Sequence, residues 1–277
     1  MKIILYLIAL LVHFSLTAQS QTNYKITYEL NYKPDTTDLN KIKKERMLLY
    51  TNGKNSLFLS NGRVLKDSMR GKFGFGDISS PAYKAATKAA ETDFQFRILK
   101  NPVTGVVYHH LRIVVDNYHY TENPKFNWQI HNETKTILGY STQKATTQFG
   151  GRSYTVWFSP VISIPDGPYK FFGLPGLILE ATSDDDDYKF VVIGIEKTSF
   201  FPIKEIPYTT SVEAPKEKLQ DLQKEFDEDP IGFMNNWEGQ SGNTLRIGLK
   251  GDAKKKYYDQ YGKGTKTINN PIELIKN

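Results

Sequence analysis

The sequence predicts a mainly β fold: a large curved antiparallel sheet, sandwich or open half-barrel, with one or two peripheral helices. Residues 24–32 alternate apolar or aromatic with polar side chains, and short runs of strand-forming residues recur along most of the chain. Gly, Pro, Asn and Asp separate these runs at short intervals, which is typical of strands joined by tight turns. Crossover helices of the length that a parallel sheet requires are missing between them.

The first predicted strand is the clearest. Its period of two places one set of side chains on a buried face and the polar set on a solvent-exposed face; the buried set is Tyr24, Ile26, Tyr28, Leu30 and Tyr32. We expect further strands over residues 46–51, 56–60, 94–99, 106–116, 118–121, 127–130, 136–140, 144–149, 153–159, 177–181 and 188–196.

Two segments predict helices. Ser80 is a suitable N-cap and Pro81 a suitable first helical residue for the Ala-rich stretch that follows. A second helix begins at Pro215, carries one apolar stripe at Leu219, Leu222 and Phe226, and ends at Pro230; these three side chains are spaced three and four residues apart. The polar, Gly-containing segments 65–77 and 239–264 predict either long mobile loops or partly ordered insertions.

The ends and the composition predict an exported protein. A lysine, an apolar run and small residues at Ala18 and Ser20 indicate a signal peptide over residues 1–18, cleaved after residue 18 or 20. A membrane anchor is the alternative, but the apolar run is shorter than a spanning helix needs. We expect a single periplasmic or secreted domain over 19–277 without a transmembrane segment.

The chain has no cysteine, which excludes disulfides and thiolate metal sites, and no cofactor is expected. The net charge of +6 is too dispersed to predict nucleic-acid binding.

The apolar stretch 167–181 contains a turn. Pro175 followed by Gly176 suits the two central positions of a type II turn, in which the glycine takes a positive φ. We interpret this stretch as a rigid joint that packs into the core, and we expect both faces of the strand starting at Leu177 to be covered. The alternative is a binding lip whose aromatic residues, Phe171 and Phe172, face a ligand.

The same stretch resembles a known family signature. Gly173-Leu174-Pro175-Gly176-Leu177-Ile178 is similar to the motif of the GLPGLI family, exported proteins of Gram-negative bacteria named for that string. The resemblance extends over residues 128, 137–140, 144–146, 151–152, 157–158, 164–165, 167–168 and 270–274. Many relatives carry a Cys shortly after the Gly-Tyr pair, where this chain has Ser141-Thr142-Gln143. The resemblance implies export and a β-rich fold, and it implies no established activity.

One arginine is a candidate for either a buried ion pair or a ligand contact. On a regular strand Arg152 shares a face with Tyr154, whereas Trp157 points to the opposite face. We favour a buried Arg152 paired with Glu180 or with an acid from another strand, because buried charges are normally paired. In the ligand-binding alternative, Arg152, Tyr154, Trp157, Phe171 and Phe172 are the candidate residues.

The histidines and an acidic run raise a weaker metal hypothesis. His109 and the next residue, His110, face opposite ways on a strand, and a hairpin near residues 116–117 would bring His119 close to one of them. Asp184 and Asp186 belong to an acidic run, Asp184 to Asp187, that lacks the Gly and Glu of a twelve-residue calcium loop. We expect that run to form an open, solvated hairpin loop, and we keep His109, His119, Asp184 and Asp186 as candidate metal ligands.

No recognised catalytic motif occurs in the sequence: it contains no nucleophile elbow, phosphate-binding loop or dinucleotide fingerprint. The first hypothesis is therefore a non-catalytic protein of the cell envelope that binds or scaffolds a peptide, a lipid or an outer-membrane component. The alternatives are a hydrolase of an unrecognised class and a periplasmic metal-handling protein. A pocket with perturbed pKa values would favour the hydrolase.

Overall fold

A computed structural model of the protein describes residues 22–73, 80–114, 116–202, 211–237, 251–252, 255 and 270–274. The expected signal peptide, with both of its cleavage positions, lies outside the described residues, and so does most of segment 239–264. Within the described part of the chain, the secondary structure consists of twelve strands and four short helices.

The elements follow one another with few helices between the strands. The strands are β1 Asn23–Tyr32, β2 Lys43–Thr51, β3 Ser56–Ser60, β4 Arg97–Asn101, β5 Val106–Ile113, β6 Asp116–Glu122, β7 Gln129–Ile137, β8 Tyr140–Phe149, β9 Arg152–Ser159, β10 Leu177–Ser183, β11 Tyr188–Thr198 and β12 Val212–Glu213. The helices are α1 Asn61–Phe73, α2 Pro81–Ala89, α3 Lys216–Glu228 and α4 Pro230–Asn236.

All twelve strands belong to one sheet, in the order β12-β6-β5-β4-β3-β2-β1-β11-β10-β9-β8-β7. Neighbouring strands are antiparallel except for β12, which pairs in parallel with β6 over two residues. The two edge strands, β12 and β7, lie at opposite ends of this order, so the sheet stays open. The predicted fold class, a large antiparallel sheet with peripheral helices, is confirmed.

The alternation in β1 is confirmed. Ile26, Tyr28, Leu30 and Tyr32 are buried, while the residues between them are partly exposed. Tyr24, the fifth residue of the predicted buried set, is only partly buried. β1 occupies the middle of the sheet, paired with β2 on one side and β11 on the other. We call the face that carries Tyr28 the inner face of the sheet and the opposite face the outer face.

One predicted strand was wrong, and one segment with two open alternatives contains a helix. The expected strand over residues 136–140 is instead the hairpin turn between β7 and β8, in which Leu138 and Gly139 take positive φ values of 48° and 80°. Such a two-residue turn matches the twist of the flanking strands. Segment 65–77, for which a loop and a partly ordered insertion were the alternatives, is helical as far as Phe73. It continues helix α1, whose first turn is capped where Arg63 N donates to Ser60 Oγ at 3.0 Å.

The two predicted helices are confirmed. Ser80 Oγ accepts from Tyr83 N at 3.2 Å at the start of α2, and the helix has no buried residue. Helix α3 starts after Pro215 and packs Leu219 against strands β5 and β6, as its apolar stripe predicts. Helix α3 ends before Asp229, and Pro230 begins the short helix α4. The proline predicted to end one helix therefore also begins the next.

Segment 160–176, which connects β9 to β10, fills the inner face of the sheet. Tyr169, Phe171, Phe172 and Leu174 are buried in the same core as Tyr28. The first three residues of β10, Leu177 to Leu179, are fully buried, so both faces of this strand start are covered as predicted. The interpretation of this stretch as a packed structural joint is therefore confirmed.

The turn inside that joint differs from the predicted type. Gly176 N donates to Leu174 O at 2.8 Å, which makes a three-residue γ-turn centred on Pro175 in place of the four-residue type II turn. Gly176 has a φ of 156°, and a Cβ added there would lie 2.1 Å from the carbonyl oxygen of Ser159. Glycine is required at 176 chiefly because the backbone at the end of β9 passes so close.

Candidate functional site

The closing segment, residues 270–274, lies against the hairpin that joins β8 to β9. Leu274 N donates to Gly150 O at 2.7 Å, and Asn270 and Ile272 are buried. A Cβ on Gly150 would lie 2.7 Å from the side chain of Glu273, so the glycine leaves room for the segment to approach. The sequence reading singled out residues 270–274 only by their resemblance to a family's closing tag, and the structure places them at a cluster of buried charges.

Arg152 anchors the first half of the closing segment. Its buried guanidinium donates from Nη2 to Asn270 Oδ1 at 2.5 Å and to Pro271 O at 3.1 Å, and from Nη1 to Asp187 Oδ2 at 2.9 Å and to Asp185. The predicted buried ion pair is therefore present, with acids of the β10–β11 hairpin. Glu180 is not the partner, because it pairs in register with Trp157, on the opposite face from Arg152.

The acidic hairpin loop is less open than expected. Asp187 accepts hydrogen bonds from Asn270 at 2.9 Å and from Arg152, and its Oδ1 lies 3.4 Å from Lys33 Nζ. Burial alone raises the pKa of Asp187, but hydrogen bonds from Asn270, Arg152 and Lys33 outweigh burial and lower it. Cations therefore offset the expected mutual repulsion at Asp185 and Asp187. Asp184, Asp185 and Asp186 all remain exposed.

Glu273 anchors the second half of the closing segment in a buried charge cluster. Its Oε1 accepts from Tyr169 Oη at 2.6 Å and from Lys170 Nζ, and its Oε2 accepts from Lys216 Nζ at 2.5 Å. Glu122, at the end of β6, also contacts both lysines. The ammonium groups of the two lysines thus alternate with the two carboxylates. The four residues come from four separate stretches of the chain, which meet at this point. We call Glu122, Lys170, Lys216 and Glu273 the Glu273 cluster.

The cluster contains two positive and two negative charges, and its two lysines determine the protonation state of Glu273. Burial alone raises the pKa of Glu273, but Lys170 and Lys216 outweigh burial and lower it to about 2. Burial alone lowers the pKa of Lys216, but Glu273 and Glu122 outweigh it and raise it. Glu273 is therefore ionised and ion-paired at neutral pH, which suits it to hold the segment in place and not to accept a proton.

His109 borders the Glu273 cluster on the inner face. Its ring stacks on Tyr120 with centroids 4.8 Å apart, and Tyr120 Oη accepts from Lys170 Nζ at 3.1 Å. Burial, reinforced by the charge of Lys170, lowers the pKa of His109 well below 6.5, so the ring is neutral at pH 7.

The candidate metal ligands are not brought together. The predicted hairpin places His119 opposite His110, with ring centroids 5.1 Å apart on the outer face, while His109 lies on the inner face. Asp184 and Asp186 lie in the β10–β11 hairpin, on the far side of β1 from β6: β11 and β10 are six and seven positions from β6 in the strand order. Among the residues that the structure describes, no three His, Asp or Glu side chains are close enough to share a metal ion.

The candidate ligand-binding residues form core in place of a pocket. Tyr154 and Phe171 are fully buried with ring centroids 4.8 Å apart, and Phe172 is 7% exposed. Trp157 lies on the outer face, where Lys135 Nζ sits 4.4 Å from its ring centre. Of the five candidates, Tyr154 also borders an open cavity of about 540 Å³, and Arg152 lines a larger one.

That cavity is a polar cleft of about 690 Å³ beside the closing segment. Amide and charged side chains dominate its lining, including Asn127, Gln148, Arg152, Lys216, Gln220 and Glu273. The cleft therefore offers hydrogen-bond donors and acceptors and charges of both signs, which suits a polar, extended ligand. Sequence reasoning missed the lysines and glutamates here. The signal that could have found them is the lone Lys170 inside an otherwise apolar run, since a buried lysine requires a carboxylate partner.

No helix of the described residues combines the length and apolar character needed to cross a bilayer.

Comparison with known proteins gives one family model and a set of similar folds. The model of the family described as "N-glycanase peptide, N-terminal domain" matches residues 112–222, fewer than half of the chain. Two crystal forms of PNGF-II share the fold with a TM-score of 0.52 and 16% sequence identity over 73% of this chain. This chain covers 32% and 33% of those chains, so it spans about a third of the structures that it matches. No curated protein matches the sequence.

Proposed function

We propose that the protein is an exported, non-catalytic protein of the cell envelope, of the GLPGLI type, that binds a peptide segment of a partner in the polar cleft. One observation carries this proposal: the cleft adjoins a surface that already holds a short peptide of the chain itself. The closing segment is held by its backbone at Leu274 and by two buried side chains, Asn270 and Glu273. A second peptide beside it would meet the same kinds of groups.

The interior of the sheet argues against a lipid as the ligand of this site. Segment 160–176 and its aromatic rings occupy the inner face, where an open-barrel carrier would hold an acyl chain. The remaining cleft is lined mainly by amide and charged groups, which an acyl chain would desolvate without compensation. A peptide, whose own amides pair with such groups, is the better match.

The comparisons supply a second candidate. The matched family model is named for an N-glycanase, and the match to this chain covers about a third of the similar structures. A hydrolase acting on glycosylated peptides is therefore the enzyme that the name suggests. The cleft does contain two groups with shifted pKa values, Glu273 and Lys216. Both shifts keep the group charged at neutral pH, however, which does not suit general acid–base catalysis.

Site-specific photocrosslinking in the cell envelope tests the proposal. A photoreactive residue is introduced in place of Gln220, which lines the cleft, and in place of Lys54, an exposed residue in the turn between β2 and β3. We expect peptide crosslinks from position 220 that are absent from position 54. Adding Gln148→Trp, which narrows the cleft from an exposed position, should remove them without lowering the melting temperature.

Equal crosslinking from positions 220 and 54, or crosslinks that persist with Gln148→Trp, would overturn the binding proposal. Incubation of the purified protein with an N-glycosylated peptide separates the second candidate. An unchanged peptide mass agrees with a non-catalytic protein, whereas release of the glycan would establish the hydrolase.

A further inference from the structure

The smaller cavity, of about 540 Å³, adjoins the polar cleft. The two share Asn127, Gln148 and Ser153 as lining residues. The smaller one lies where the start of β7, the end of β8 and the start of β9 meet the β10–β11 hairpin. Its size falls in the usual range of small-molecule sites, roughly 300–1,000 Å³.

Three carboxamide side chains line this cavity: those of Asn127, Gln129 and Gln148. In the part of the chain that the structure describes, none of these three amides has a hydrogen-bond partner. Each carboxamide offers two N–H donors and one acceptor oxygen, so several donors and acceptors are available to a ligand. We call this space the amide cavity.

Hydroxyl groups make up most of the remaining lining. They belong to Thr146, Thr147, Ser153 and Tyr154. Thr147 is only 6% exposed, and its Oγ1 is buried without a hydrogen-bond partner among the described residues. Buried hydroxyl groups in native structures normally have a partner, so this one indicates a group that the cavity can still accept.

The charge of the amide cavity distinguishes it from the polar cleft. Asp184 is the one charged side chain among its described lining residues, which include no lysine or arginine. An anionic ligand would therefore meet a like charge and no counter-charge. Because Asp184 is exposed to solvent, it would give a cation little stabilisation. A neutral ligand with hydrogen-bond donors for this carboxylate fits best.

We propose that the amide cavity binds a neutral saccharide unit. Each sugar hydroxyl is both a donor and an acceptor, and two neighbouring hydroxyls can pair with one carboxamide or one carboxylate. A peptide backbone offers only one donor and one acceptor per residue, so it would leave more of these groups unpaired. Gln129 and Thr146 line only this cavity, whereas Lys216 and Gln220 line only the cleft. The saccharide site and the peptide site can therefore fail separately.

Saturation-transfer difference NMR on the purified full-length protein tests the inference. The probes are four neutral disaccharides: maltose, cellobiose, lactose and mannobiose. Glucuronate, cadaverine and acetyl-triglycine amide are the anionic, cationic and peptide controls. We expect saturation transfer to at least one disaccharide. Every control should bind at least about tenfold more weakly, since a mismatched charge or two lost hydrogen bonds reduce affinity by that factor.

Variants at two lining residues locate the site. Gln129→Ala and Asp184→Ala should each weaken disaccharide binding by about threefold to tenfold, from the hydrogen bonds that are lost. Both residues are exposed, so neither variant should lower the melting temperature. The matched controls are Gln220→Ala in the cleft and Asp38→Ala in the exposed loop between β1 and β2, and both should leave binding unchanged.

Three results would overturn the saccharide proposal. The first is saturation transfer to none of the four disaccharides. The second is an affinity for glucuronate, cadaverine or the peptide that equals the affinity for the best disaccharide. The third is an equal effect of Gln129→Ala and Gln220→Ala, or of Asp184→Ala and Asp38→Ala. None of these results bears on the crosslinking test of the peptide site, because that test uses position 220 in the cleft.

Discussion

Replacing Glu273 by Gln tests whether the buried charge cluster holds the closing segment in place. The substitution keeps the shape of the side chain and removes its charge. Lys170, which is fully buried, and Lys216 would then share only Glu122 among the acids of the cluster. A buried ammonium group that loses a carboxylate partner is strongly destabilising, because the remaining charge is poorly compensated.

The magnitude follows from the pKa of Glu273. The pKa falls from an ordinary 4.5 to about 2 in the folded protein. At 1.36 kcal/mol for each pH unit, this difference corresponds to about 3 kcal/mol of stability at neutral pH. The figure agrees with the roughly 3–5 kcal/mol lost when one partner of a buried ion pair is removed. Because the folded pKa is lowered, the contribution is complete above pH 4.5 and is lost as the pH falls toward 2.

Urea unfolding of the wild type and of Glu273→Gln, at a series of pH values from 7 to 2, measures this contribution. We expect a free-energy difference of about 3 kcal/mol at pH 7 that shrinks steadily below pH 4.5. Glu133→Gln is the matched control: Glu133 forms an exposed pair with Lys144 at 3.0 Å, and its loss should not change stability measurably.

A difference that stays constant from pH 7 to pH 2 would refute the electrostatic argument, since a purely steric effect does not titrate. The double variant Lys170→Met with Glu273→Gln provides a second check. Because it removes charges of both signs, its loss of stability should be smaller than the sum of the two single losses. Additive losses would show that the two groups do not interact.

Two further predictions concern the joint and the second buried pair. Gly176→Ala should lower the free energy of unfolding in urea by about 2–4 kcal/mol, because the added Cβ would overlap a backbone carbonyl. Gly194→Ala is the control and should leave stability unchanged, since its Cβ would lie 3.9 Å from the nearest atom. Equal losses of stability would contradict the steric argument. Lys100→Met should cost roughly 3–5 kcal/mol, because Lys100 Nζ lies 2.6 Å from the fully buried Asp166. Adding Asp166→Asn should restore part of that loss, and no restoration would show that the pair is not coupled.

Local patterns in the sequence predicted what depends on local geometry. The alternation in β1 identified its buried face, the Ser80-Pro81 pair identified the start of α2, and the odd spacing of Arg152 and Trp157 placed them on opposite faces. Each of these follows from the repeat of a strand or from the first turn of a helix. Such features are decided by a few neighbouring residues, whatever the rest of the chain does.

The candidate site could not be predicted in the same way, because its members are distant in sequence. Glu273 meets Lys170 across 103 residues and Lys216 across 57. Arg152 pairs with acids of the β10–β11 hairpin and not with Glu180. The bulge and register of β10 place Glu180 on the face opposite to Arg152. Spacing along the chain carries no information about such contacts.

The sequence by itself determined that the protein forms strands with a distinguishable buried face, that it begins α2 and α3 at given residues, and that Gly176 follows a proline in a tight turn. Only the tertiary structure decided that β1 lies between β2 and β11, that Gly176 is required by the backbone of β9, and that the closing segment completes a buried ion cluster. The physical reason is that propensity and periodicity act over a few residues, whereas burial and ion pairing depend on which distant segments the fold brings together.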